Sequence, residues 1–220
     1  MRGCAEKLTV LAGALLLAGC QVTPAVRPEA RAAAVDVVED EEPEWRGVAN
    51  DDDAKLIADL DTAWREALAG AGRQVRGEGR LLDPQAALPR PAPSPGSYMC
   101  RLIRLGSSRP REPSYQAFKP FFCHVGVNED RLSITKQTGS ERPAGYLWDD
   151  LDKNRMIFLG TLALGNEDAP LSYGEDPARD MAGVLERVGP LRYRLVVPKP
   201  RGTAKLDVIE LVPAPVQPDE

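Results

Sequence analysis

Cysteine and histidine are the residue types in this sequence with the sharpest chemistry, and they are few. There are four cysteines, Cys4, Cys20, Cys100 and Cys123, and one histidine, His124. A single imidazole excludes multi-histidine metal sites and any scheme that needs a second imidazole. His124 follows Cys123 directly, and consecutive strand residues point to opposite faces, so a productive cysteine–histidine pair is disfavoured. Cys100 and Cys123 are instead read as a disulfide between the first two strands. Closing that loop stabilises the fold by about 3 kcal/mol on the chain-entropy picture.

Cys20 carries different chemistry. Arg2 and Lys7 form a basic head, Leu8 to Ala18 is almost wholly apolar, and Leu17-Ala18-Gly19-Cys20 follows. The apolar run is too short to span a bilayer and ends in a small-residue cleavage signature. These four residues resemble the lipobox of bacterial lipoproteins, which implies cleavage after Gly19, lipidation of Cys20 and anchoring of the mature chain to a membrane through its acyl chains. Gln21 rather than aspartate follows, which in that class implies travel to the outer membrane, facing the periplasm. The expected location is therefore the cell envelope.

Other candidate chemistry is thin. Asp150, Asp152 and Asn154 match the start of a calcium loop, but Arg155 stands where a glycine turn belongs and Thr161 where the closing glutamate belongs, so a polar hairpin is expected. Ser140 lies in a turn without a nucleophile elbow. The loop Tyr173 to Asp180 holds Glu175, Asp176, Arg179 and Asp180, expected to pair among themselves. No spacing suits a common hydrolytic or metal-assisted mechanism, so the sequence points to a protein that is not an enzyme and needs no cofactor or metal. A net charge of -5 in an exported chain excludes nucleic-acid binding, and Arg101, Arg104, Arg109 and Arg111 are expected to be solvated strand and loop positions.

The elements that must position any site follow from pattern. Twenty prolines and 19 glycines among 220 residues exclude a helical bundle. Residues 1–19 are assigned to the signal, 20–50 to an acidic tether rich in Ala, Pro and Glu, 51–213 to one globular domain, and 214–220 to a tail. Within the domain, Asn50 and three aspartates cap a helix in 51–72 whose stripe of Ile57, Leu60, Trp64, Ala67 and Leu68 faces a core. A proline-rich connector spans 79–96. From 97 to 213 the pattern is a β meander, with strands near 98–105, 118–127, 131–137, 144–149, 155–162, 181–188, 191–197 and 205–212. Leu191, Tyr193, Leu195 and Val197 should face inward, with Arg192 and Arg194 toward solvent. Met156 to Leu162 is apolar on both faces and should be covered by the helix.

The expected architecture is therefore mainly β, an N-terminal amphipathic helix packed on a small antiparallel meander. An eight-stranded, lipocalin-like barrel is favoured over a half-open roll, because closure removes exposed edges. Such a barrel either fills itself or holds one small ligand. Two functions follow. One is a binding module for a small apolar or amphipathic ligand, with Tyr98, Leu132, Ile134, Tyr193 and Leu195 as lining. The other is a sealed barrel whose loops 106–119 and 164–180 meet an envelope protein partner.

Several stretches, taken in order, carry a resemblance. They are Arg80 to Pro84, Lys136 to Pro143, Phe158 to Gly160, Tyr173 to Asp176, Gly183 to Gly189 and Leu206 to Pro213. Together they resemble a family of exported proteobacterial proteins known as a domain of unknown function, DUF4893, over roughly Asp51 to Pro213. The resemblance implies an envelope setting and supplies no reaction, cofactor or catalytic residue.

Overall fold

Alternating apolar and polar residues after Gly96 build a continuous antiparallel sheet that closes on itself. The computed structural model describes residues 42–165 and 167–215. Its strands are β1 (Gly96–Ser107), β2 (Tyr115–Ala117), β3 (Phe121–Asn128), β4 (Arg131–Lys136), β5 (Glu141–Asp149), β6 (Arg155–Leu164), β7 (Asp180–Gly189), β8 (Arg192–Pro198) and β9 (Ala204–Pro213). From β3 onward each strand pairs with the next, β1 pairs with β3, and β9 returns to β1 from Tyr98↔Pro213 to Ser107↔Ala204. The result is a closed eight-stranded barrel with β2 as an extra strand, the closed alternative of the two that the sequence allows.

The extra strand has a simple origin. Along one edge of β1, Ala117 faces Ile103 while Phe121 faces Cys100, so the β2–β3 side carries one more residue than its partner. Lys119-Pro120 lies at the slip. A proline cannot donate to the ladder, and the bulge splits one long strand in two.

Side-chain parity divides the apolar residues between two cores. Inside the barrel are Tyr98, Cys100, Val125, Leu147, Phe158, Leu185, Leu195 and Leu211. On the outer wall, Ile103, Leu105, Ile157, Leu159, Val184, Val196 and Val208 pack beneath Trp45, Ile57, Trp64 and Leu81 of the N-terminal segment. β6 is buried on both faces for this reason. Two glycines make the inner core possible. Gly145 and Gly160 face each other across β5 and β6, and a Cβ on Gly160 would lie 2.3 Å from the Ala144 carbonyl oxygen and 2.7 Å from the Phe158 ring.

The covering layer corrects several expectations. The helix in 51–72 is broken into α1 (Asp51–Ala58) and α2 (Leu60–Leu68), followed by α3 (Gly72–Gly77), with Asp59 at φ -90°, ψ 14° between the first two. The Asp59 side chain makes no cap hydrogen bond, and the offset at this residue buries Ile57, Leu60, Trp64 and Ala67 together. Asn50 caps α1, its Oδ1 accepting from the Asp53 N–H at 2.8 Å. Trp45, assigned by sequence to the tether, is buried in a 3₁₀ turn at Glu44–Gly47 and donates to Asp150 at 3.1 Å, so the packed domain begins before residue 51. The connector is held against the barrel: Leu88 bridges to Arg187, whose guanidinium donates to the Pro89 carbonyl.

Arg194 departs furthest from expectation. It does not face solvent but is 0% exposed, because its side of β8 lies under the N-terminal layer. Its Nε donates to Glu186 at 2.6 Å, and Nη1 donates to the carbonyls of Leu81 at 2.9 Å and Asp83 at 2.7 Å. Its guanidinium also lies 4.9 Å from the centre of the Trp64 ring. Leu191, expected inward, is 63% exposed at the β7–β8 turn.

Candidate functional site

The barrel's two ends are built differently. Near the starts of β1 and β8, Tyr98 and Tyr193 meet edge to face with ring centres 6.3 Å apart, and the Tyr98 hydroxyl donates to the Ser94 carbonyl at 2.7 Å. Both rings are buried in the barrel interior at this end. Toward the opposite end, where β4, β6 and β8 finish and β5, β7 and β9 begin, the interior opens into a cavity of about 290 Å³.

Its wall is mixed. Leu102, Phe121, Pro143, Leu162, Met181, Val197 and Ile209 supply apolar surface, and Arg104, Lys136, Glu141 and Asp207 supply charge. Pro200, Arg201 and Gly202 of the β8–β9 turn complete the lining. Arg104 and Asp207 face each other in register, and the guanidinium grips the carboxylate with two bonds of 2.9 and 3.0 Å. Burial pushes the Asp207 carboxyl above its ordinary range while Arg104 pulls it back. Lys136 is half-buried with its ammonium 4.6 Å from the centre of the Phe121 ring. Burial draws it below the ordinary lysine range, and Glu141 opposes the shift.

The turns that frame this mouth are braced. Arg142 donates to the carbonyls of Gly165 at 2.8 Å and Glu167 at 2.6 Å, tying the β4–β5 turn to the loop after β6. Arg179 pairs with Glu167 and Asp176 in that loop, and Tyr173 carries it to the helix layer by donating to Asp53 at 2.6 Å while accepting from Asn50. Glu112 accepts from Ser107 and Thr203, holding the loop after β1 to the β8–β9 turn. Both loops considered for partner contact are thus pinned to the barrel.

The residues expected from sequence to line a ligand site are distributed otherwise. Tyr98, Ile134, Tyr193 and Leu195 belong to the buried interior, and Leu132 packs against it while also edging a separate depression between the β3–β4 and β5–β6 turns. None of the five lines the cavity. The charged lining was missed, although it was legible. Lys136 shares inward parity with Leu132 and Ile134, Arg104 with Tyr98, and Asp207 with Ile209 and Leu211. A charge on the inward parity of a barrel strand is the signal that marks it. Arg104 is accordingly not a solvated strand position, and Arg101 is held by Glu78 and Glu210.

Cys100 and Cys123 form a disulfide between β1 and β3, with Cα atoms 5.9 Å apart. His124 is exposed on the outer wall. In the Asp150–Asn154 hairpin, Asp150 is taken up by Trp45 and Arg155, which hold its carboxyl below the ordinary range despite burial. Among the described residues no helix is long and apolar enough to cross a membrane, and no group of three or more acidic, histidine or cysteine side chains is placed to hold a metal. Cys20 lies outside the described residues.

Fold and cavity together define a small closed β-barrel domain with a cavity at one end and a helical layer over part of its outer wall. Residues 45–211 match the model of DUF4893, a domain of unknown function, and the chain belongs to that family. No match was found among the curated proteins or among the solved structures. Five of the cavity residues, Lys136, Glu141, Pro143, Asp207 and Ile209, lie in stretches that carry the family resemblance in the sequence.

Proposed function

We propose that this protein is a non-enzymatic envelope lipoprotein, anchored through an acylated Cys20, whose barrel takes a small amphipathic molecule into the cavity at its open end. The observation that carries the reading is the cavity itself, about 290 Å³ of mixed apolar and charged wall at one end of the barrel. That volume is at the lower bound for small-molecule sites, and an apolar wall with a few placed polar groups is their usual composition. A binding role rather than a catalytic one is supported by the state of the reactive groups. The two cysteines of the domain are joined, Asp207 is committed to Arg104, and His124 is outside the barrel. Envelope location is supported by the basic head, the short apolar run and the Leu17 to Cys20 sequence.

The test is native mass spectrometry of the protein purified from the envelope of its host, beside Met181→Trp, which fills the cavity. A co-purifying small molecule is expected on the wild type and absent from a variant with an unchanged circular-dichroism spectrum. A wild type without any adduct, and without binding in a screen of amphipathic compounds, would overturn the reading. Incorporation of a labelled fatty acid that is lost in Cys20→Ser tests the anchor in the same preparation.

A further inference from the structure

The charges at the cavity select its occupant. Arg104 and Asp207 neutralise one another through a two-bonded pair, so neither is free to hold a ligand charge. Lys136 differs. Among the described residues no carboxylate pairs with it, and its close neighbour is the Phe121 ring at 4.6 Å. Glu141, across the β4–β5 turn, is exposed at the rim and acts on Lys136 through its charge without a direct ion pair. A half-buried cation that has lost part of its hydration without gaining a direct ion pair gains most from an anion brought by a ligand. Arg201, on the turn above the mouth, adds to the same field.

We infer that the cavity receives a small monocarboxylate with an apolar body, its carboxylate on Lys136 and its body against Leu102, Leu162, Met181 and Val197. The inference rests on the proposed binding role and adds the chemical class of the ligand. A single negative charge is favoured over a doubly charged group because Glu141 lines the same mouth and repels a second one. An amine is disfavoured because Lys136 and Arg201, the lining cations outside the Arg104–Asp207 pair, face the space.

Titration calorimetry of the full chain in phospholipid nanodiscs, with empty discs as blank, decides the matter with hexanoate, hexanol and hexylamine as probes. Hexanoate is expected to bind at least about tenfold more tightly than hexanol or hexylamine, the measure of one charge-assisted hydrogen bond in a sheltered site. Lys136→Gln should erase that advantage and leave hexanol unchanged, and Lys136→Arg should keep it. If Lys136→Gln fails to fold, the ratio of hexanoate to hexanol on the wild type decides. Equal binding of hexanoate and hexanol, or tighter binding of hexylamine, overturns the carboxylate assignment and leaves the binding role standing. Binding of none of the three at millimolar concentration overturns the assignment and counts against the cavity as a ligand site.

Discussion

Arg194→Met should be among the most damaging single substitutions outside the glycine pair. The guanidinium is 0% exposed and answers the Glu186 carboxylate together with the carbonyls of Leu81 and Asp83, and methionine keeps the volume while answering none of them. Removing one partner of a buried, hydrogen-bonded ion pair costs about 3–5 kcal/mol, a large share of a net stability of about 5–15 kcal/mol. With a urea dependence of about 2 kcal/mol per M, the unfolding midpoint should fall by about 2 M at neutral pH. Trp64, 4.9 Å from the guanidinium, provides the fluorescence signal.

The pH dependence separates the carboxylate from the carbonyls. Burial raises the Glu186 carboxyl above 4.5 in the folded state, and Arg194 holds it down. An acid whose folded pKa exceeds its unfolded one contributes stability that is complete below the unfolded value and is lost as pH rises through the folded value. Without Arg194 the folded pKa climbs further, so the deficit measured at neutral pH should shrink on acidification toward pH 5. Adding Glu186→Gln to Arg194→Met should remove that pH dependence and leave the part due to the carbonyls. A deficit below about 1 kcal/mol at neutral pH, or one that deepens on acidification, would refute the assignment of Arg194 as a clamp.

Two further outcomes test the barrel. Gly160→Ala, whose Cβ would lie 2.3 Å from the Ala144 carbonyl oxygen, should cost about 3 kcal/mol in urea unfolding, whereas Gly77→Ala in α3, with nothing within 4 Å, should be neutral or slightly stabilising. Replacing both Cys100 and Cys123 by serine should lower stability by about 3 kcal/mol relative to the oxidised protein, and reducing agent should bring the wild type to the same midpoint; a wild type insensitive to reduction would contradict the bridge.

Much of the barrel was readable because strand alternation is local. Tyr193, Leu195 and Val197 point inward as their spacing requires, and the turns fall at Asn128–Asp130 and Asp152–Asn154 where the residue types place them. What was not readable depends on coverage. Arg192 and Arg194 have the same parity, yet Arg192 is partly exposed on Glu210 and Arg194 is sealed beneath Trp64 and the Gly79–Leu82 turn. Only the path of the N-terminal segment decides between them. The break at Asp59 is of the same kind, since a continuous stripe of apolar residues describes one helix or two equally well until the curved wall beneath it is known. The cavity was one of the two expectations, and its lining differs from the expected one for a third reason. Inward parity says that a side chain enters the lumen and not whether its neighbours fill the space around it, so Tyr98 and Tyr193 were expected to line a hollow and instead lie buried in the interior away from it.

The stretches that carry the family resemblance are specific only as a series, and the structure supplies the physical reason. Arg80 to Pro84 offers its carbonyls to Arg194 and so fastens the covering layer, Phe158 to Gly160 sets an aromatic ring on a bare backbone floor, and Tyr173 to Asp176 docks a loop on the cap of α1. Lys136 to Pro143 and Leu206 to Pro213 meet at the mouth. No stretch forms a site alone, because the closed barrel gathers its lining from all eight of its strands, one or two residues from each, and from the β8–β9 turn. The cavity lies between the turns of Gly139 and Gly202, at φ 96° and 92°, conformations that glycine adopts without strain. If the cavity binds a ligand as proposed, substitutions at Lys136 or Met181 should alter that binding with little effect on folding, and those at Arg194 or Gly160 the reverse.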